Sequence, residues 1–129
     1  MDDSVRSSLN DMVLIALDLI EDGGFAEVEA LLEGDAESLI VHRDGHAVRA
    51  WLNVCPHAGR RLDWAPGKFL KSKEGHLVCA AHGASFELGR GDCVAGPCRG
   101  DSLRAVAVEV REGQVVLADP ASPSRQDLL

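Results

Sequence analysis

The sequence predicts an all-β protein built from antiparallel strands. Two pairs of β-prone segments are each joined by a dipeptide that favours a tight turn, which is typical of β-hairpins. Strands do not alternate with long amphipathic helices along the chain, as they would in a parallel α/β fold. The chain has 129 residues, 46% of them hydrophobic, and is therefore long enough to bury one core. We expect a single antiparallel domain.

The first predicted hairpin covers residues 38–53. Residues 38–43 and 46–53 are rich in β-branched and apolar side chains, and Asp44 and Gly45 between them form a common hairpin dipeptide. This arrangement predicts two paired strands with a turn at Asp44 and Gly45.

The second predicted hairpin lies near the end of the chain. Residues 103–111 alternate between apolar and polar side chains, Glu112 and Gly113 supply a turn, and residues 114–118 return. Three shorter segments complete the prediction. Residues 12–19 and 76–79 are strand candidates, and residues 27–32 could form either a short strand or a helical turn.

The two ends of the chain differ in composition from the middle. Residues 1–11 and 119–129 contain Ser, Asp and Pro and are predicted to be flexible, which leaves one domain over residues 12–118. The most apolar stretch, residues 12–20, is short and interrupted by Asp18, so it fits neither a signal peptide nor a membrane span. We expect a cytoplasmic protein, in which four cysteines are metal ligands or free thiols rather than a disulfide framework.

The charge is strongly negative but unevenly distributed. A formal net charge of −8 argues against a nucleic-acid partner, because phosphate contacts require a basic face. Residues 1–40 carry eleven acids and one base, whereas residues 57–75 carry five bases and two acids. The basic segment is either a solvated loop or a docking surface for an acidic partner. Its bases are Arg60, Arg61, Lys68, Lys71 and Lys73.

Between the hairpins, two short segments each place a thiol close to an imidazole. Cys55 and His57 form the first pair, and Cys79 and His82 form the second. A glycine follows each pair, at residues 59 and 83, and glycine lets a backbone wrap closely around an inorganic group. The composition is typical of metal-ligand loops.

The spacing of these residues, CxH followed by 21 residues and then CxxH, resembles the Rieske family. The resemblance implies a [2Fe–2S] cluster in which Cys55 and Cys79 bind one iron. His57 and His82 would then bind the other iron. It also implies a Rieske-like antiparallel β-sandwich with a small cluster-binding subdomain, made of the two ligand loops, within about residues 53–98.

Three further features fit the resemblance as supporting loop residues. Gly59 and Gly83 end the two ligand segments, and Gly96 and Pro97 occur where Rieske proteins carry a proline-containing loop that covers the cluster. Two features differ from the high-potential members of respiratory complexes. Arg60 and Ala81 stand where those proteins carry a disulfide, and Ala84 stands where they carry a serine that hydrogen-bonds a cluster sulfide.

These departures predict a low reduction potential, roughly −150 mV to zero, because hydrogen bonds to the sulfurs stabilise the reduced cluster. The chain also contains no tyrosine, so a phenol donor is missing too. In these respects the sequence is similar to the ferredoxin components of bacterial oxygenase systems, and to the small Rieske-like subunits of nitrite reductases.

The resemblance implies a one-electron carrier that is not itself an enzyme. It would accept electrons from a flavin-dependent reductase and pass them to a terminal oxygenase or a related redox enzyme. No small-molecule substrate, nucleic acid or membrane is expected as a partner.

Two other functions remain open from the residues alone. Two cysteines and two histidines could hold a structural zinc ion, although zinc fingers usually pair ligands of one kind and stabilise domains too small for a core. A redox sensor is the second alternative, because Cys93 and Cys98 flank the predicted cover loop and could form a disulfide. Free thiols are favoured for both.

The remaining histidines and aromatic residues are assigned no function. Three histidines lack a partner cysteine and are expected to be ordinary strand or turn residues: His42, His46 and His76. Trp51 is expected in the core, and Trp64 and Phe69 fit either a rim or a packing role.

Overall fold

The structure is a computed structural model that describes residues 13–32, 34–56, 61–79, 83–96 and 100–118. The flexible ends predicted for residues 1–11 and 119–129 lie outside this range. Within it the chain forms eleven β-strands and one short 3-10 helix, Leu17–Leu19. The strands are β1 (Val13–Ala16), β2 (Phe25–Leu32), β3 (Asp35–Asp44), β4 (Ala47–Leu52), β5 (Leu70–Lys71), β6 (Leu77–Val78), β7 (Ser85–Phe86), β8 (Cys93–Ala95), β9 (Ala105–Val106), β10 (Val108–Arg111) and β11 (Gln114–Leu117).

The strands form three antiparallel sheets, which confirms the predicted all-β class. The first sheet has the order β1-β11-β10, the second β2-β3-β4-β9 and the third β5-β6-β7-β8. The third sheet consists of strands of two or three residues and carries the predicted ligand loops. Among the described residues, no helix has the length and hydrophobicity needed to cross a bilayer.

The second sheet is the middle layer, because successive side chains of β3 point to opposite faces. Leu39 and Val41 pack into a core shared with Val115 of the first sheet. Ile40, between them, packs into another core with Trp51 and residues of the third sheet. All of these side chains except Trp51, at 2%, are 0% exposed. The first two sheets therefore form a β-sandwich, and the cluster-binding subdomain packs on the outer face of the second.

The first hairpin is present, but its turn lies one residue later than predicted. Asp44 pairs with Ala47, so the turn residues are Gly45 and His46. Gly45 has a φ of 64°, and a positive φ at the first turn position is what a two-residue turn of this kind requires. The Asp22 carboxylate accepts the Gly45 N–H at 2.8 Å and fixes the turn to the preceding loop.

The second hairpin has the predicted turn at Glu112 and Gly113, with φ values of 52° and 76°. The predicted strand over residues 103–111 is wrong in one respect, because it is two strands in two sheets. β9 pairs with β4, and after Ala107 the chain continues as β10, which pairs with β11. Alternation of apolar residues indicates which side chains are buried, but it does not indicate which strand lies alongside. The sequence therefore could not show that the chain changes sheets here.

The shorter predictions also need adjustment. Within the described part of the predicted strand 12–19, residues 13–19, only Val13–Ala16 is a strand, and a 3-10 turn follows that buries Leu17. Residues 27–32 belong to a strand, so the helical alternative is wrong. Residues 76–79 contribute only Leu77–Val78.

Candidate metal centre

The first ligand loop leaves the end of β4 and returns to the third sheet. Cys55 is 0% exposed and packs in the core shared by the second and third sheets. Leu62, on the returning part of the loop, is also 0% exposed and packs in the same core. The thiol therefore lies inside the protein, while the neighbouring Val54 and Pro56 are exposed.

An ion pair and a turn stabilise the returning part of this loop. The Arg61 guanidinium donates two hydrogen bonds to Asp63, at 3.0 and 2.8 Å, and lies 3.6 Å from Glu27. The Gly67 N–H donates to the same Asp63 carboxylate at 3.1 Å. Burial alone would raise the pKa of Asp63, but hydrogen bonds from Arg61, Gly67 and Asn53 outweigh it and hold the pKa below its usual value.

The second ligand loop is a tight connection between β6 and β7. The Cys79 N–H donates to the Ala84 carbonyl at 2.7 Å, and the Gly83 N–H donates to the Cys79 carbonyl at 2.9 Å. Gly83 has a φ of 72°, a conformation that residues with a side chain rarely adopt. Cys79 and Ala84 are both 0% exposed, so this loop also places its thiol inside the protein.

The chain after β8 packs directly on the second ligand loop. A Cβ atom at Gly96 would lie 2.8 Å from the Cα of Ala84, and Gly96 has a φ of 98°. Only glycine allows the two backbones to approach this closely. The predicted cover loop therefore begins in contact with the second ligand loop, although Pro97 itself lies outside the described residues.

The structure brings together the two described cysteines of the predicted site. Cys55 and Cys79 come from different loops, are fully buried and belong to the same packed core. The predicted ligands His57 and His82, and the supporting residue Gly59, lie outside the described residues. Accordingly, the described part of the chain contains no group of three or more potential metal ligands.

The described residues fit an iron–sulfur cluster. Cys55 and Cys79 offer two sulfur donors from two converging loops, and thiolates are the ligands that iron–sulfur clusters use in proteins. Gly83 and Gly96 supply the backbone conformations and close approach that such loops need.

Cys93 lies in the same core but makes a different contact. It is a free, buried thiol on β8, and its Sγ donates to the Ala95 carbonyl at 3.3 Å. This contact agrees with the prediction that Cys93 is a free thiol. Cys98 lies outside the described residues. Cys93 is therefore a packing residue that keeps its own hydrogen bond within the strand.

His42 is an ordinary strand residue, as expected, but it is buried. Its Nδ1 donates to the Gly24 carbonyl at 3.0 Å, and its ring lies 4.7 Å from that of Phe25. Burial lowers the pKa of His42, the hydrogen bond to Gly24 opposes this effect, and the positive charge of Lys71 adds to it. The sequence pattern does not distinguish this buried histidine from the exposed His46.

The aromatic residues divide into core and rim. Trp51 is 2% exposed and belongs to the core, as predicted. Phe69 packs against Phe25, with ring centroids 5.7 Å apart. Trp64 is 61% exposed and borders a shallow cavity of about 230 Å³ together with Phe25, Gly67, Lys68 and Phe69. The ambiguous prediction is thus resolved as a rim role for Trp64 and a packing role for Phe69.

Two bases of the basic segment already have partners within the chain. Arg61 pairs with Asp63 and Glu27, and the Lys71 ammonium donates to the Gly23 carbonyl at 3.1 Å. Arg60 lies outside the described residues. Arg61 and Lys71 therefore form contacts within the chain itself.

The family follows from comparison with known domains. The model of the Rieske [2Fe-2S] domain matches residues 13–117 of the chain. The chain belongs to this family. A Rieske domain carries a [2Fe–2S] cluster, so the two buried cysteine loops belong to a domain with that cofactor.

Solved structures of Rieske ferredoxins share the fold. The ferredoxin of carbazole 1,9a-dioxygenase from Nocardioides aromaticivorans IC177 is 27% identical with a TM-score of 0.64, and the match covers 82% of this chain and 94% of that one. A Sphingomonas yanoikuyae B1 ferredoxin is 22% identical with a TM-score of 0.61, over 84% and 98% of the two chains. No curated protein sequence gives a significant match to this Rieske chain.

A third structure contains a ferredoxin together with an oxygenase. It is a complex of reduced oxygenase and oxidized ferredoxin in carbazole 1,9a-dioxygenase, and the matching chain is 25% identical with a TM-score of 0.63. The match covers 83% of this Rieske chain and 91% of the other.

Proposed function

We propose that this Rieske protein is a one-electron carrier that delivers electrons to a terminal oxygenase. The observation that carries the proposal is its similarity to the ferredoxin of a carbazole dioxygenase over 94% of that ferredoxin. The fold match thus covers nearly the whole of a ferredoxin that belongs to an oxygenase system. When bound, a [2Fe–2S] cluster supplies reversible one-electron chemistry.

The proposed ligands are Cys55 and Cys79 for one iron, and His57 and His82 for the other. The burial of both thiols in one core supports the cysteine pair. The spacing of the histidines relative to these cysteines supports the imidazole pair. Gly59, Gly83, Gly96 and Pro97 would support the loops.

The chain's own residues would limit water around the thiols. Cys55 and Cys79 are 0% exposed, and Ala84 offers no hydroxyl at the end of the second loop. A site with few hydrogen bonds to sulfur stabilises the reduced state less, which supports a potential in the lower Rieske range. A carrier of this kind suits a flavin-dependent reductase as its electron donor.

The proposed partners are a flavin-dependent reductase as donor and a terminal oxygenase as acceptor. The complex of ferredoxin and oxygenase in carbazole 1,9a-dioxygenase supports the second partner by similarity. We further propose that the protein acts in the cytoplasm and has no catalytic activity of its own.

The ligand set is tested by comparing buried cysteines in the same core. Cys79→Ser is expected to abolish cluster binding, measured by iron and sulfide content and by visible absorption. Cys93→Ser is the matched control, because Cys93 is also buried, at 5% exposed, and the serine hydroxyl can still donate to the Ala95 carbonyl. A cluster retained in Cys79→Ser, or zinc in place of iron in the purified protein, would contradict the proposal.

The carrier role is tested by electron transfer in stopped-flow experiments. We expect NADH and a flavin-dependent ferredoxin reductase to reduce the protein by one electron per chain, and oxidised cytochrome c to reoxidise it completely. Repeated cycles should leave the visible spectrum unchanged. Failure of reduction, or loss of the cluster within one cycle, would contradict a carrier and favour a sensor.

A further inference from the structure

Asn53 is a buried polar residue beside the first ligand loop. It follows β4, lies two residues before Cys55 and is 1% exposed. A buried amide is costly unless its polar atoms are hydrogen-bonded. No buried side-chain nitrogen or oxygen in the described part of the chain lacks a partner, so the contacts of Asn53 account for its position.

The Asn53 side chain joins the two ends of the loop. Its Oδ1 accepts the N–H of Leu62 at 2.8 Å, in the buried part of the molecule. β4 ends at Leu52 and β5 begins at Leu70, so neither end of this connection belongs to a strand ladder. The Asn53 side chain therefore joins the two ends of this loop, as a backbone hydrogen-bond pair joins the two ends of a hairpin turn.

The other side of the amide is tied to the central sheet. Asn53 Nδ2 donates to Ser38 Oγ at 3.2 Å, and Ser38 Oγ donates to a Glu27 carboxylate oxygen at 2.7 Å. The Asn53 backbone N–H also donates to the Ser38 carbonyl at 2.9 Å. The base of the loop is thereby connected across β3 to β2.

The returning part of the loop reaches the same carboxylate. Arg61, next to Leu62, lies 3.6 Å from Glu27 and pairs with Asp63. Asp63 in turn accepts the Gly67 N–H at 3.1 Å. Both ends of the loop are therefore held by one polar network that is anchored in the sandwich, which limits how far Cys55 can move.

We infer that Asn53 is a positioning residue that holds the first ligand loop in the geometry required by the cluster. The inference rests on the proposed ligand role of Cys55. When supporting hydrogen bonds fix the ligands, the cluster has one ligand geometry and one reduction potential. A loose loop allows a range of geometries and of reduction potentials. Loss of the Asn53 clamp is expected to broaden the spectroscopic signature and speed the release of the cluster.

The contact itself is tested by hydrogen–deuterium exchange in peptides that contain Leu62. Asn53→Ala removes the acceptor, and we expect the Leu62 amide to exchange roughly five- to tenfold faster. Ser72→Ala is the matched control, because Ser72 Oγ accepts the His76 N–H at 3.1 Å in another turn of the same subdomain. It should leave exchange at Leu62 unchanged.

The role in the cluster is tested on the same proteins. In reduced Asn53→Ala we expect broader electron paramagnetic resonance lines and a several-fold faster loss of iron to a chelator. Ser72→Ala should match the wild type in both. If Asn53→Ala does not fold, Ser38→Ala decides, because it removes the acceptor that fixes Asn53 Nδ2 and so loosens the amide whose Oδ1 holds Leu62.

The outcomes separate this inference from the proposed function. Wild-type line widths and chelation rates in Asn53→Ala, or in Ser38→Ala where that variant decides, would overturn the inference alone. Equal broadening in Ser72→Ala would also overturn it, because any loosened turn would then have the same effect. A wild-type protein without a [2Fe–2S] cluster would instead overturn the proposed function first.

Discussion

Gly96 lies so close to Ala84 that a Cβ atom at position 96 would be 2.8 Å from the Ala84 Cα and 3.3 Å from its Cβ. Ala84 belongs to the second ligand loop, where its carbonyl accepts the Cys79 N–H. The loop that follows β8 is therefore packed against the backbone that positions Cys79. A small change at Gly96 should be transmitted to the second ligand loop.

Gly96→Ala is expected to destabilise the protein more than a comparable substitution elsewhere. Gly100→Ala is the matched control, since Gly100 has a φ of 100° against 98° for Gly96 but no atom within 4 Å of its added Cβ. Both variants carry the backbone strain, and only Gly96→Ala adds overlap, which costs about 1–3 kcal/mol. Urea unfolding of the cluster-loaded proteins measures the difference in unfolding free energy. Equal losses of unfolding free energy in the two variants would show that the close approach of Gly96 to Ala84 does not affect stability.

Ala84→Ser is expected to raise the reduction potential. A hydroxyl at this position restores the donor that high-potential Rieske proteins carry, and one hydrogen bond contributes about 0.5–1.5 kcal/mol. For a one-electron couple this corresponds to roughly 20–65 mV. Protein-film voltammetry provides the measurement, with Ala95→Ser on the exposed end of β8 as control. A lower or unchanged potential in Ala84→Ser would contradict the assigned position of this residue.

The stability of the fold is expected to fall between about pH 7.5 and pH 5.5 through His42. Burial lowers the pKa of His42 in the folded state, so below its ordinary value of about 6.5 the unfolded chain binds the proton more readily. The contribution of neutral His42 is thus present above that value and is lost as the pH falls towards the folded-state pKa.

The measurement for His42 is urea unfolding at several pH values in wild type and in His42→Gln. Glutamine can still donate a hydrogen bond to Gly24 but does not titrate in this range. The slope of unfolding free energy against pH should therefore be smaller in His42→Gln between pH 7.5 and 5.5. Identical slopes in wild type and His42→Gln would show that groups other than His42 cause the pH dependence of stability.

Much of the fold could be predicted because local patterns decide it. The hairpin turns are marked by glycine at positions 45 and 113, and the β-branched and apolar side chains of residues 38–43 and 46–53 indicate the paired strands. The Rieske membership was predictable from the spacing of cysteines and histidines alone. Each of these signals lies within a short stretch of sequence, and the residue types alone indicate the turn, the strand or the metal ligand.

What the sequence could not predict depends on contacts between distant segments. The change of sheet at Ala107 depends on which strand lies beside β9, and the closeness of Gly96 to Ala84 depends on how two loops pack. Asn53 is one of many polar residues in the chain, and only its burial and its bond to Leu62 distinguish it. A polar residue two positions before a ligand cysteine was the available signal.

The central claim, mixed cysteine and histidine ligation of a [2Fe–2S] cluster, is tested most directly by pulsed electron paramagnetic resonance. The reduced protein is prepared with ¹⁵N-labelled histidine, so that coupling to the unpaired electron identifies imidazole ligands. We predict coupling to two histidine nitrogens, and loss of one of them in His82→Cys. A reduced cluster without histidine coupling, or a protein that contains zinc and gives no signal, would contradict the account.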